Sequence, residues 1–599
     1  MIGFVQLVVL VSVLSAGLLL ARLLAPYIAH VYSYDSPGRL DRFFLPVENA
    51  IYRLCGIKHD RAMGWKEYFT AMFVLNGMIA LISFLVLIFQ NSLPLDPQGF
   101  PGVRWDLALN TAMSISSNTN LQHYGGGSTL SYLSQMVAIQ FLQFTSAATG
   151  LAVAVAVIRG FAGKARTKNG LGNFYVDFTR SLTRILLPLS FIAALVFVYL
   201  GVPQSLNGYT AVTTIQGAQQ LIKIGPVASL VSIMQIGTNG GGYYGANSAY
   251  PLQNPSQISD LLEMILMLLI PTAMPFVYGE MLGKKSRREG TSILVAAYAL
   301  FMLDLAIALY PPEAIGPGME VRFGGFAPVF WTVITTAVTT GSVNASLSAF
   351  NPLVIVSAFM GMLIQATPGG IGVGLVYMLM YVIITVFIVG LMSGRTPEYL
   401  GMKIKAGDIK LAVIGFLVHP AIILVPTVLA YATRATNAIG LGTGSISFTE
   451  VLYEFTSAAA NNGSDFLGTA ANTVFFNVST ALVMWTGRFA PIAVMLAIAG
   501  SMYSRDRGPA DGVGIKTDSL TFAFVLFATI LIVVVLTFFP FLALGPLLEF
   551  LRGACEWILI SSRSQAQTPI LRRIRERRTK HLWKRGGSCR QFSRTLSCV

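Results

Sequence analysis

Charge is what this chain has least of. Asp, Glu, Lys and Arg make up 11% of its 599 residues, against 54% hydrophobic residues and a mean hydropathy of +0.66. A soluble chain of this length needs roughly 25% charged residues to cover its surface, so a water-soluble fold is excluded. Cysteine is scarce too: Cys55, Cys555, Cys589 and Cys598 make neither a disulfide framework nor a Cys-x-x-Cys metal site. The apolar start, MIGFVQLVVLVSVLSAGLLLARLL, has no positive charge before Arg22. It therefore reads as a first spanning helix rather than a signal peptide. A phosphate-binding loop is also missing, because GEMLGKKS at 279–286 has the wrong glycine-to-lysine spacing. No DKTGT string occurs, nor a soluble segment large enough to hold a nucleotide. The chain carries no ATPase site of its own, and no nucleophile–base or metal-ligand constellation is visible in it.

What is present is a series of apolar runs, each close to the ~20 residues that cross a ~30 Å hydrocarbon core as helix. They fall at 3–23, 69–90, 131–158, 179–201, 258–282, 290–310, 372–394, 411–432, 475–502 and 519–545. The fold class is an all-α polytopic membrane protein with ten transmembrane helices. Basic residues cluster after every second run: Arg39 to Lys66, Lys164 to Lys168, Lys284 to Arg288, Arg395 to Lys410, and Arg505 to Lys516. Positive loops stay in the cytoplasm, which sets the N-terminus outside.

The four outer connections share one plan: a short apolar stretch, a small polar cluster, then the next span. They are WDLALNTAMSISSNTNLQHYGGGS at 105–128, GPVASLVSIMQIGTNGGGYYGANS at 225–248, FAPVFWTVITTAVTTGSVNAS at 326–346 and FTEVLYEFTSAAANNGSDF at 448–466. An apolar stretch of about 11 residues is too short to span, so it enters the membrane and returns. Irregular backbone at that depth is tolerated where it lines a water-filled path or is buried in protein. Four such loops about one axis would aim carbonyls at a common centre, as rings that replace the hydration shell of a monovalent cation do. The layout expected is a first helix at 1–24, a cytoplasmic loop at 25–68, and repeats at 69–160, 161–283 and 284–394. A cytoplasmic loop at 395–410, a fourth repeat at 411–502, a loop and last helix at 503–550, and a basic tail at 551–599 complete it. Pseudo-repetition on this scale implies pseudo-symmetric assembly, K⁺-channel-like in design.

The clusters SNTNLQHY, QIGTNGGGYYGANSA, TGSVNA and SAAANNGS resemble the four filter loops of one family. It is that of the potassium-binding, channel-like component of the bacterial Kdp potassium-transporting P-type ATPase, which lies within a superfamily of K⁺ transporters. The segments GLMSGRTPEYLGMKI at 390–404 and GGIGVGLVYML at 369–379 fit that family as well. The resemblance runs from residue 1 to about 553. It implies a filter of Asn118, Thr119, Asn120 and Gln122; Gly237, Thr238, Asn239 and Gly240; Thr340, Gly341 and Ser342; and Asn461, Asn462 and Gly463. K⁺ is the implied ion, held at those residues. The run Gly394, Arg395, Thr396, Pro397, Glu398, Tyr399, Leu400 and Gly401 is the family-signature cytoplasmic loop. Two departures from the family pattern stand out: loop one ends YGGGS where an acid is expected, and loop two has Gly245 and Gln253 in place of Asn and Glu.

The same resemblance implies an ATP-driven, high-affinity potassium importer. K⁺ would enter from outside and pass toward a separate P-type catalytic subunit, with ATP and Mg²⁺ acting only there. Small accessory membrane subunits, the lipid bilayer and the bacterial inner membrane complete the expected setting; nucleic acid does not belong to it. An autonomous potassium channel or symporter of the same superfamily is the alternative. Arg488 lies within the ninth run, where an unpaired Arg costs about 2.5–3.5 kcal/mol on insertion scales. It is expected to face a cavity or a partner, or to snorkel to the cytoplasmic edge; the resemblance implies the first, as a vestibule or gate residue below the filter. Asp304 and Glu263 are candidates for contacts or a cation path but read most simply as members of structural ion pairs, and His419, before Pro420, as a packed or kink-associated residue. The tail at 551–599 holds twelve Lys and Arg against Glu556 and Glu576 and opposes the positive-inside rule. It is expected to be disordered or non-homologous.

Overall fold

A computed structural model of the chain describes residues 3–33, 41–163, 170–310, 319–505 and 516–552. Ten helices in it are long and apolar enough to cross a membrane. In chain order, with short turns aside, the helices begin α1 (Phe4–Val31), α2 (Asp41–Leu54), α3 (Trp65–Ile88), α4 (Trp105–Ser116), α5 (Ser134–Ala162), α6 (Phe174–Tyr199), α7 (Val227–Ile236) and α8 (Gln257–Leu282). They continue as α9 (Lys284–Ala308), α10 (Phe326–Ala337), α11 (Pro352–Ile364), α12 (Val373–Met392), α13 (Ala406–Ala432), α14 (Ser445–Ala459), α15 (Val474–Tyr503) and α16 (Leu520–Leu544). Two hairpins, β1 (Tyr209–Thr213) with β2 (Gln219–Lys223) and β3 (Glu398–Tyr399) with β4 (Met402–Lys403), are the described β-structure. The basic tail lies, beyond Arg552, outside the described residues.

Lipid is as apolar as a leucine side chain, so helices associate where small residues let backbones approach. The seam of α1 illustrates this: Gly17, Ala21 and Ala25 are buried, while Phe4, Leu19 and Leu23 stay exposed on the other face. That seam packs on α8, and a Cβ on Gly17 would already touch Leu268 at 3.4 Å. α5 lies at the centre, with nearly every residue from Leu142 to Ala162 buried, and it is flanked by α15, α4 and α12. Both α5 and α6 contain a stretch of π-helix, at Ser134–Gln140 and Ser181–Leu186.

Two arginines drawn into this interior, Arg159 and Arg184, are paired with acids. Arg159 of α5 grips Asp177 of α6 with both oxygens, at 2.6 and 2.9 Å. Arg184 of α6 reaches Glu48 of α2 at 2.6 Å and also bonds Asp41. The Arg184 pairs fix α2, an additional helix within the segment expected to be a cytoplasmic loop. α11 is likewise additional: its 13 residues are apolar but too short to span. It ends in the Gln365–Gly372 turn, where Pro368, Gly369, Gly370 and Gly372 cannot continue a helix, and α12 starts afresh at Val373.

Candidate functional site

The four short helices α4, α7, α10 and α14 all end in the same turn. Just past each one, Ser117, Gly237, Val338 and Ala460 donate to the carbonyl four residues back. Two residues later, Thr119, Asn239, Thr340 and Asn462 donate to the carbonyl five residues back, those of Ser114, Met234, Thr335 and Ser457. The residue between must be left-handed for such a helix cap. Asn118, Thr238, Thr339 and Asn461 are so, with φ of +66°, +44°, +46° and +52°. These bonds put 118, 238, 339 and 461 in register without any comparison of side chains.

The next two positions carry the chemistry. Asn120, Gly341 and Gly463 are again left-handed, with φ of +57°, +83° and +97°; in loop two the left-handed residue comes one later, at Gly241. Alternating hand turns successive peptide dipoles to one side. Among the described residues no donor reaches the carbonyls of Thr119, Asn239, Thr340 or Asn462. The loops close into a ring in the order one, two, three, four. A Cβ on Gly240 would lie 3.1 Å from Thr119 O and 2.6 Å from Thr340 O, and one on Gly341 would strike Asn462 O. One on Gly463 would strike Thr119 O, which joins loop four back to loop one. Backbones pack here with no room for side chains, the second condition that calls for glycine.

Side-chain amides tie this ring from behind. Asn118 donates to Thr238 O at 2.9 Å, Asn461 to Thr119 Oγ1 at 2.9 Å, and Asn462 to Thr335 O at 3.0 Å. Ser146 of α5 donates to Asn118 Oδ1 at 2.9 Å and Asn239 Oδ1 at 3.2 Å, and Thr238 Oγ1 accepts from Ile371 N at 3.0 Å. Gln122 bridges to loop two, accepting from Gly242 N at 2.8 Å and donating to Gly242 O at 3.1 Å.

The shared register moves three assignments. Thr339, omitted from the expected set, is the cap residue of loop three. Ser342 stands one place beyond the ring, level with Leu121, and its carbonyl is taken by Trp331 Nε1 at 2.8 Å. Gly237 is level with Ser117, on the last turn of α7, and sits beneath the loop. The two departures in loops one and two fall partly together: a Cβ on Gly245 would lie 3.2 Å from Gly125 Cα. Gln253 accepts from Tyr243 N at 3.0 Å, doing from an amide what a carboxylate could also do.

Arg488 of α15 is buried and donates to Ser146 O at 3.2 Å, behind the ring; no described carboxylate lies within ion-pairing distance. Glu263 and Asp304 do not form the expected ion pairs. Both are buried with no described Lys or Arg alongside, and Glu263 instead accepts from Gln235 at 2.6 Å and Ser248 at 2.8 Å. His419 packs as expected, its Nε2 at 3.0 Å from Ala459 O. In the 394–401 segment, Tyr399 is buried with its hydroxyl 2.7 Å from that of Tyr278 on α8, while Gly394, Arg395 and Thr396 are exposed.

One cluster escaped the sequence reading. His123, Glu454 and Asp465 meet between loops one and four, with a ligand-type atom of each within 4.8 Å of the others. Burial disfavours a charged imidazole, but Glu454 and Asp465 outweigh it and His123 is pushed up to about 9. Burial, reinforced by Glu454, holds the Asp465 carboxyl well above its usual range.

Comparison with known proteins decides the family. The model of the potassium-transporting ATPase A subunit matches residues 10–551. The chain belongs to that family. It is similar to the potassium-transporting ATPase potassium-binding subunit of Caldanaerobacter subterraneus subsp. tengcongensis, 42% identical over 564 residues, covering 90% of this chain and 98% of the relative. Its fold is that of the crystal structure of the potassium transporter TrkH from Vibrio parahaemolyticus, with a TM-score of 0.50 at 14% identity over 83% of this chain and 98% of that one. This family member is therefore a multi-pass membrane protein of the channel-like potassium-transporter fold.

Proposed function

We propose that the ring of four loops is a potassium selectivity filter, and that this chain takes K⁺ from outside and passes it to a separate ATP-hydrolysing subunit. The observation that carries this reading is the set of four central carbonyls, Thr119, Asn239, Thr340 and Asn462, free of donors among the described residues on one closed ring. Uncharged oxygens of this kind suit a monovalent cation; Ca²⁺ and Mg²⁺ favour carboxylates. The filter set is Asn118 to Asn120 with Gln122, Thr238 to Gly240, Thr339 to Gly341, and Asn461 to Gly463. Arg488 is its vestibule cation, opposing simple leak. The four repeats at 69–160, 161–283, 284–394 and 411–502 surround that axis, with the N-terminus outside and the loops at 25–68 and 395–410 in the cytoplasm.

The relative's name as a potassium-binding part of an ATPase supports the rest. ATP and Mg²⁺ act on the catalytic partner, small accessory subunits complete the complex, and the membrane is the bacterial inner membrane. Exposed Gly394, Arg395 and Thr396 suit contact with a cytoplasmic partner; buried Tyr399 serves the hairpin that presents them. Expression in a cell lacking other potassium uptake tests the reading. The chain with its ATPase partner restores growth at low K⁺. Restoration by the chain alone would replace this function with that of an autonomous channel or symporter.

A further inference from the structure

His123 stands three residues past the ring position of loop one, and Asp465 two past that of loop four. The tautomer of His123 follows from its neighbours. Asn477 gives its amide hydrogens to Asp106 Oδ2 at 2.9 Å and Asn472 Oδ1 at 3.0 Å, so its own oxygen, 2.7 Å from His123 Nδ1, must accept. Asp106 is fixed as the acceptor by Arg104, 2.8 Å away. Nδ1 therefore carries hydrogen, and Nε2 is the nitrogen turned to the carboxylates. Metal-binding histidines are oriented in this way, by a hydrogen bond from the nitrogen that does not ligate.

The carboxylates present open oxygens to the same cluster. Glu454 of α14 is fully buried and turned inward by the 2.9 Å contact of Oε1 with Nε2, and its Oε2 meets no donor among the described residues. Asp465 is anchored by Gly468 N on Oδ1 at 2.6 Å, and its Oδ2 has no donor either. Among the described residues no Lys or Arg pairs with either acid. One imidazole nitrogen and two carboxylates thus meet in one cluster, and a dication would balance the two carboxylates.

We propose that His123, Glu454 and Asp465 are the protein ligands of a site for a transition-metal dication of the zinc class, joining loops one and four. One imidazole and two carboxylates suit such an ion, whereas Mg²⁺ and Ca²⁺ take oxygen ligands alone. Zinc bonds of about 2.0–2.1 Å hold tetrahedral ligands roughly 3.3 Å apart; His123 Nε2 and Glu454 Oε1 stand 2.9 Å apart and the ligand atoms of all three residues lie within 4.8 Å of one another, a range that side-chain rotation can close. Asp465 is the one partly exposed residue of the three, the side from which an ion would enter, and three protein ligands would leave a fourth position for water. The site does not depend on the filter reading, since neither its ligands nor its charge involve the ring carbonyls.

The test uses the whole complex, stripped with chelator and titrated with Co²⁺ and then Zn²⁺. The expected result is one Co²⁺ per chain with visible d–d absorption, displaced by equimolar Zn²⁺. Asp465→Asn, which keeps the Gly468 contact, raises the Co²⁺ dissociation constant at least tenfold, and His123→Ala abolishes the absorption. Each variant complex is checked for a single elution peak, so lost binding is not mistaken for lost folding. No Co²⁺ spectrum in the native complex, or an equal one in both variants, overturns the proposal and leaves the cluster holding a proton only.

Discussion

Gly463 and Thr119 meet backbone to backbone: a Cβ at 463 would occupy the space of the Thr119 carbonyl oxygen, across 344 residues of sequence. Gly463 is also left-handed, at φ +97°. Gly463→Ala therefore combines a collision with a backbone strain of order 1–3 kcal/mol. Half-maximal K⁺ uptake should move up by about tenfold or more, since ~1.4 kcal/mol is a factor of ten. Gly407→Ala, where a Cβ meets nothing within 4 Å, is the control and should leave uptake unchanged.

Thr339 and Ser342 separate the two possible registers of loop three. If the caps set the ring, Thr340→Ala leaves the carbonyl in place and changes K⁺ affinity by less than about threefold. Gly341→Ala, aimed at Asn462 O, raises the half-saturating K⁺ by about tenfold. Ser342→Ala should be mild as well, because the Trp331 bond goes to its backbone oxygen. A large Ser342→Ala defect alongside a harmless Gly341→Ala would refute this register. Potassium-dependent ATPase activity of the complex supplies the readout.

Gln122 holds Gly242 through a matched donor and acceptor pair. Gln122→Arg removes the acceptor and sets a cation beside the ring. K⁺ uptake should weaken at least tenfold, whereas Gln122→Glu, retaining the bond from Gly242 N, should weaken it less. Uptake curves over a range of external K⁺ distinguish the two.

Arg488 is a buried cation with no described acid beside it. Arg488→Gln should create passive K⁺ flux in vesicles containing the complex without ATP. Arg488→Lys keeps the charge and should stay tight. Vesicles as tight with Gln as with Arg would remove the gate role.

Arg159 and Asp177 test the scaffold rather than the filter. Breaking a buried, doubly bonded pair by removing one partner costs about 3–5 kcal/mol, so Asp177→Ala should sharply lower the thermal stability and yield of the purified complex. Melting in detergent monitors it.

The spans are legible because hydropathy is a local property: about 20 consecutive apolar residues are enough to cross the bilayer whatever they pack against. The short helices before the polar clusters are legible for the same reason, and so is the family, through the SNTNLQHY and GRTPEYLG strings of the chain itself. Loops one and four read in register because their Asn and Gly residues advertise left-handed backbone. Loop three reads one residue late, since Thr339 takes that conformation at φ +46° without the usual residue type. α11 escapes the pattern because its 13 apolar residues match neither a span nor one of the four pre-filter helices.

Composition and apolar periodicity by themselves determined a ten-span membrane protein with four polar interruptions, because lipid imposes its length and charge limits on every segment independently. The tertiary structure alone decided which carbonyls face one another, why Ser342 falls outside the ring, and that His123 meets Glu454 and Asp465. Those are contacts between residues hundreds of positions apart, set by helix caps and backbone packing, and no local pattern in the chain encodes the partner across such a gap.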